Sequence, residues 1–306
     1  MVSSKRFSGV LAPVITPFKE DLSPDAQRLA AHCQWLVNQG VGLAVFGTNS
    51  EANSLSTDEK IDLLDQLIAS GVDPALMMPG TGSCSLTDCV RLTAHAVKRG
   101  CAGSLMLPPF YFKPVSEDGL FAFYAEVIER VASPDLKIYL YHIPAFTGVP
   151  IVVPLIDRLV KSYPENIVGI KDSSGDWGNT KAYNAGGWPD FRVFCGSESL
   201  LLQNLQHGGA GCISATANVN PAAIKALYNN WQTAEAEKMQ QQLNPVRNIF
   251  QSFPMIPALK AATSLYSDDP NWRRVRPPIM TMSDDQVSEM QSQLEALGFD
   301  MPELSG

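Results

Sequence analysis

Ile167-Val168-Gly169-Ile170-Lys171-Asp172-Ser173-Ser174 is a short apolar run that ends in a cation, a carboxylate and two hydroxyls. The run has the composition of a buried strand, and the lysine is out of place in it. An ammonium group taken out of water must find a partner or give up its proton. A lysine that sheds its proton is a nucleophilic amine, of the kind that forms Schiff bases with carbonyl compounds. The alternative is a lysine whose head leaves the strand end for solvent beside Asp172, because perturbed charges also serve structure. By the two-residue period of a strand, Gly169, Lys171 and Ser173 share one face and Asp172 takes the other.

Runs of the same kind recur on both sides of it, at 9–18, 42–48, 75–80, 103–108, 137–143, 191–196 and 211–217. Helix-like sequence follows each one. Ser23-Pro24 reads as an N-cap with proline at the first helical position. Ser56 with Glu59 forms a capping box, and Ser85 and Ser116 open segments with acids in the first turn. Gly40, Gly71 and Gly100 stand where left-handed C-caps are wanted. The strands lack clean alternation, as expected of parallel strands covered by helices.

Eight strand–helix units predict an α/β fold, a (β/α)8 TIM barrel spanning residues 1–228. From Trp231 the sequence turns helical, with breaks at Phe253-Pro254 and Pro277-Pro278, which predicts an appended C-terminal three-helix region over 229–306. A doubly wound sheet would carry Gly-x-Gly-x-x-Gly after its first strand, and that motif is missing there.

A chain of 306 residues with 45% hydrophobic and 18% charged residues suits a large buried core. Its net charge of -8 argues against non-specific nucleic-acid binding. Six scattered cysteines (Cys33, Cys84, Cys89, Cys101, Cys195, Cys212) without a Cys-x-x-Cys pair read as reduced, mostly buried thiols. Met1-Val2-Ser3-Ser4-Lys5-Arg6 has no signal-peptide core, so the expected location is the cytoplasm, with no membrane partner.

In a barrel of this kind the active site lies at the C-terminal strand ends. Those ends carry Gly47-Thr48-Asn49-Ser50-Glu51, Pro108-Pro109-Phe110-Tyr111-Phe112, Tyr139-Leu140-Tyr141-His142-Ile143-Pro144, Lys171 and Gly196-Ser197-Glu198. Of four histidines only His142 is near a strand end, and it alternates with Tyr141 and so faces away. That speaks against a catalytic metal. No Gly-x-Ser-x-Gly elbow and no phosphate loop is present.

The 47–51 turn, Tyr141-His142-Ile143-Pro144-Ala145-Phe146-Thr147-Gly148 and Gly169-Ile170-Lys171-Asp172-Ser173-Ser174-Gly175-Asp176 stand in an order and spacing similar to the dihydrodipicolinate synthase/N-acetylneuraminate lyase family. Met255-Ile256-Pro257-Ala258-Leu259-Lys260 in the tail extends the likeness to nearly the whole chain. These proteins are class I, Schiff-base-forming pyruvate aldolases. The resemblance implies that Lys171 is the Schiff-base lysine and Tyr141 the general acid/base. It implies that Thr48 belongs to the turn that holds the pyruvate carboxylate and relays to a second tyrosine. Tyr111 resembles that second tyrosine, which in many members reaches a neighbouring subunit's site in a homotetramer built as a dimer of dimers. The other reading of Tyr111, beside Phe110 and Phe112, is simple packing.

The departures from that pattern fall on the substrate side. Asn49 replaces a second threonine and Ser50 a glycine, and Asn49 can still offer an amide to a carboxylate. Glycine in Ser50's place would suit a positive φ, which leaves the loop geometry open. Phe146 occupies the position of an arginine that the synthase uses for its aldehyde's carboxylate, which argues against synthase activity. Ala217-Asn218-Val219 and Asn49 look more like 4-hydroxy-2-oxoglutarate aldolases, and the Ile143-Pro144-Ala145-x-x-Gly148-Val149 stretch is nearer to neuraminate lyases.

The implied function is a lyase that cleaves a 2-oxo acid to pyruvate plus an aldehyde or condenses the two, with a 4-hydroxy-2-oxoglutarate-like compound or a sugar acid as candidate substrate and without metal or organic cofactor. Substrate contacts are expected from Thr48, Asn49, Ser50, Ser173, Gly196 and Phe146, with Phe110, Phe112 and Trp177 as an aromatic lining. A 2-oxo-3-deoxy sugar acid dehydratase using the same Schiff base, and a non-catalytic 2-oxo-acid-binding barrel, are the alternatives.

Overall fold

The computed structural model describes residues 6–304; the N-terminal run read above lies, up to Lys5, outside them. In chain order the elements are β1 (Gly9–Ala12), α1 (Ala26–Asn38), β2 (Gly42–Leu43), α2 (Thr57–Ala69), α3 (Leu86–Lys98), β3 (Ser104–Met106), α4 (Glu117–Val131), β4 (Ile138–His142), α5 (Pro144–Thr147), α6 (Val153–Ser162), β5 (Ile167–Asp172), α7 (Trp177–Asn184), β6 (Arg192–Cys195), α8 (Leu201–Gln206), β7 (Gly211–Ile213), α9 (Pro221–Asn230), α10 (Ala236–Gln251), α11 (Met255–Ser267) and α12 (Asp284–Ala296). They form two compact units. One holds Pro74–Ile213 with the N-terminal residues up to Gly9, and the other holds Val10–Asp73 with Ser214–Gly306. No helix among the described residues is long and apolar enough to cross a membrane.

In the first unit β3, β4, β5, β6 and β7 pair in that order, every pair parallel. Ile138, Leu140 and Ile170 point into an apolar layer shared with α4 and α6 residues such as Leu120, Val127, Leu155 and Leu159. Tyr139, Tyr141, Gly169 and Lys171 therefore take the opposite face. There the Tyr139 ring spreads over both neighbouring strands. A Cβ on Gly103 would come within 2.5 Å of it, and one on Gly169 within 2.6 Å. The ring's hydroxyl accepts from the Phe7 amide at 2.7 Å. Both glycines are thus fixed by a packing need, two residues before the lysine in the case of Gly169.

In the second unit β1 pairs with β2, also parallel. The helix entries follow the predicted chemistry in most places. Ser56 Oγ accepts from the Glu59 amide at 3.1 Å, and Glu59 Oε2 accepts from the Ser56 amide at 2.8 Å. Gly40, Gly71 and Gly100 are all left-handed.

Two expectations need correction. The run 75–80 forms no regular strand. A 3-10 turn occupies Pro74–Leu76, and the chain then passes beside β3, joined to it by two bonds at Leu105. These run from Leu105 N to Pro79 O at 2.9 Å and from Thr81 N to Leu105 O at 3.0 Å. Pro74 and Pro79 each lack an amide donor, which shortens the ladder. Helix α1 also starts later than Ser23-Pro24 implies: Asp25 is the cap, accepting from the Arg28 amide at 3.0 Å. Ser23 instead closes a turn with Asp21, donating from its amide at 2.9 Å and its hydroxyl at 2.6 Å.

Gly169→Ala drives a methyl into the Tyr139 ring and the Arg192 carbonyl. We expect a loss of about 1–3 kcal/mol in urea unfolding; wild-type stability would contradict this packing.

Candidate active site

In the first unit Tyr141 and Lys171 are register partners on adjacent parallel strands. Parallel pairing in register puts both side chains at one level on one face, so their heads meet. Lys171 Nζ donates to Tyr141 Oη at 3.2 Å and lies 4.3 Å from the centre of that ring. The pair is shut off from solvent, with 4% and 3% of each residue exposed. An amine and a phenol held together out of water are a nucleophile and a proton carrier within one hydrogen bond.

The alternate residues look the other way. Asp172 accepts from Thr180 Oγ1 at 2.6 Å and from the Ser174 amide at 2.9 Å, which anchors the entry to α7. His142 Nδ1 accepts from the Ile151 amide at 3.0 Å, and its ring meets Tyr183 edge-on. Burial lowers the His142 imidazole from its ordinary value, with Asp172 opposing. Both are structural, as the strand alternation implies.

The strand ends are tied together. Ser173 N donates to His142 O at 2.7 Å, and Gly196 N donates to Asp172 O at 2.6 Å. Any Cβ at Gly196 would fall 2.2 Å from Ser173 Oγ, so the glycine makes room for that hydroxyl. Glu198 is buried in the short 3-10 segment that follows β6. The aromatic residues divide. Phe110 packs against the apolar layer. Trp177 meets His207 edge-on. Tyr111 and Phe146 are 76% and 72% exposed, and Tyr111 meets the exposed Phe112 edge-on at 5.3 Å.

In the second unit Thr48–Ser50 is a 3-10 turn. Its positive φ angles belong to Phe46 (60°) and Glu51 (55°), which bracket it, and not to Ser50. Serine is therefore at ease where a glycine seemed necessary. Ser50 is fully buried and works for the turn itself. Its hydroxyl accepts from the Gly47 amide at 3.1 Å, its amide donates to Gly47 O at 3.1 Å, and its carbonyl accepts from Thr16 Oγ1 at 2.8 Å. Thr48 and Asn49, both half-buried, are the turn's outward-facing residues. Asn218 is spent on the same unit's backbone: it accepts from Ile15 N at 3.1 Å and donates to Pro13 O at 3.0 Å.

The sequence reading passed over a buried charge cluster beside this turn. Lys260 Nζ donates to Glu51 Oε1, both side chains being fully buried, and to Arg274 O at 2.6 Å. Glu51 Oε2 accepts from the Arg276 amide at 2.9 Å. The Arg276 guanidinium bridges Glu59 and Ser54 O. Burial pushes the Lys260 amine down to about 8, with Glu51 acting against it. The Arg276 guanidinium holds the Glu59 carboxyl below its ordinary value.

The model of the Dihydrodipicolinate synthetase family matches residues 6–297. The chain belongs to this family. It is 32% identical over 292 residues to an uncharacterized DapA-like lyase of Chloroflexus aurantiacus, covering 94% of this chain and 96% of the relative. The dihydrodipicolinate synthase from Agrobacterium tumefaciens superposes with a TM-score of 0.87 at 30% identity, covering 95% of this chain and 99% of that one. A prophage protein of the dihydrodipicolinic acid synthase family from E. coli K12, solved in complex with pyruvate, has a TM-score of 0.87 at 27% identity over 96% of this chain and 99% of that one. As a member of this family, the chain is a carbon–carbon lyase of the class I aldolase type.

Proposed function

We propose that this lyase cleaves a 4-hydroxy-2-oxo acid to pyruvate and an aldehyde, and runs the reverse condensation, through an iminium on Lys171. The observation that carries this is the buried contact of Lys171 Nζ with Tyr141 Oη at 3.2 Å. The neutral amine adds to the ketone carbon, and loss of water gives an iminium that withdraws electrons. Tyr141, left as phenolate by giving its proton to the departing water, takes the proton of the 4-hydroxyl, the bond between carbons 3 and 4 breaks, and the aldehyde departs. The enamine left behind is protonated at carbon 3, and water then frees pyruvate and restores the amine.

Thr48 and Asn49 bind the substrate carboxylate, and Ser50 keeps their turn in shape. Ser173 contacts the aldehyde portion, with Gly196 making room for it. Tyr111 and Thr48 pass the proton to and from Tyr141. Phe146 puts an apolar ring where the synthase's aldehyde would need a cation, which argues against dihydrodipicolinate synthase activity. No metal or organic cofactor enters these steps.

The expected architecture is a closed (β/α)8 barrel over 1–228 with residues 229–306 as a helical appendage. Residues 79–81 beside β3 support it, standing in for the missing strand. The expected assembly is a homotetramer in the cytoplasm, and the exposed rings of Tyr111 and Phe112, which meet edge-on, support the assembly because apolar surface is costly in water. Light scattering at micromolar concentration should give four copies, whereas a monomer would remove Tyr111 from the relay.

Racemic 4-hydroxy-2-oxo acids and 2-oxo-3-deoxy sugar acids, assayed for pyruvate release and product mass, test the reaction. We expect pyruvate from at least one of them. Lys171→Ala should abolish turnover, and Tyr141→Phe should lower kcat by about 10²–10⁴-fold. A product that keeps every carbon would make the chain a dehydratase, and full activity in Lys171→Ala would refute the scheme.

A further inference from the structure

Glu51 combines two unfavourable features. It is a non-glycine residue in the left-handed region (φ 55°, ψ 36°), and its carboxylate is fully buried. Strained backbone persists where its surroundings over-determine it, and a buried carboxylate persists where it is paired and hydrogen-bonded. Three groups from the chain's last third supply both conditions. The Lys260 ammonium, on α11, holds one oxygen, and the Arg276 amide holds the other. The Arg276 guanidinium ties down the next stretch of chain through Ser54 O and Glu59, and also donates to Leu22 O at 2.9 Å. Phe18 fills the space between the two cations, 4.4 Å from Lys260 Nζ and 4.8 Å from Arg276 Cζ.

Glu51 is also the residue that ends the Thr48–Ser50 turn: its amide donates to Thr48 O at 3.1 Å, and Ala52 N donates to Gly47 O at 3.2 Å. Fixing the carboxylate of Glu51 therefore fixes the backbone just before it. We infer that Lys260, Glu51 and Arg276 form a positioning clamp that presets the Thr48–Asn49 turn to receive the carboxylate of a 2-oxo acid. The clamp rests on the carboxylate role given to that turn above. None of its three residues touches substrate or the reacting atoms. It acts on ground-state recognition of the carboxylate end, and leaves the chemistry at Lys171 alone.

The test is a pyruvate titration with borohydride trapping, read by intact mass, on wild type, Lys260→Met, and the double variant Lys260→Met with Glu51→Gln. The double variant removes both buried charges, so it stays folded where the single one leaves a bare carboxylate inside. Circular dichroism and thermal melting establish folding independently. We expect the half-saturating pyruvate concentration to rise by about 10- to 100-fold in the folded variants, because the turn loses its preset geometry. The limiting adduct per chain should stay near that of wild type. A purely structural role would lower the melting temperature and leave half-saturation unchanged, and that outcome in the folded double variant overturns the clamp. A wild type that traps no pyruvate overturns the carboxylate reading first and the clamp with it.

Discussion

The contact between the Lys171 amine and the Tyr141 hydroxyl depends on strand register. Because β4 and β5 run parallel with Tyr141 opposite Lys171, two side chains thirty residues apart in sequence arrive at one level on one face. A one-residue slip of β5 would set Ile170 or Asp172 opposite Tyr141 and turn Lys171 to the other face. The packing of Tyr139 over Gly103 and Gly169 holds the register, because no other residue at those two positions leaves room for the ring. Fold and chemistry are thus coupled over a few residues: the same strand face that needs glycine at 169 presents the lysine at 171.

A second buried cation works differently. Lys260 has a carboxylate and a carbonyl as fixed partners, which suits it to holding Glu51 in place and not to attacking a substrate. Pairing a buried charge is no strong source of net stability, since desolvation offsets most of the attraction. Its value lies in geometry: two oxygens of one carboxylate held from two sides leave the turn before it little freedom.

Much of this was legible in the sequence. Lys171 stood out because a cation interrupts an apolar run, and strand alternation then separated it from Asp172 and separated Tyr141 from His142. The capping serines and left-handed glycines marked most helix limits for reasons local to a few residues. The third strand was misread because the apolar content of 75–80 suggested a full ladder, although Pro74 and Pro79 lack the donors for one. The loop geometry at Ser50 stayed open because the turn's positive φ angles could not be assigned to Phe46 and Glu51 without coordinates. Lys260 carried the same signal as Lys171, a cation within Met255-Ile256-Pro257-Ala258-Leu259-Lys260, but its partner lies 209 residues away and no local pattern joins them.

Lys171 and Lys260 are therefore the least exposed lysines among the described residues, and only Lys171 is assigned to the substrate. Peptide mapping of the protein after borohydride reduction with pyruvate separates the two. The predicted result is a single modified peptide whose adduct sits on Lys171, with Lys260 unmodified. An adduct on Lys260, or none on Lys171, would contradict the Schiff-base chemistry assigned to this chain.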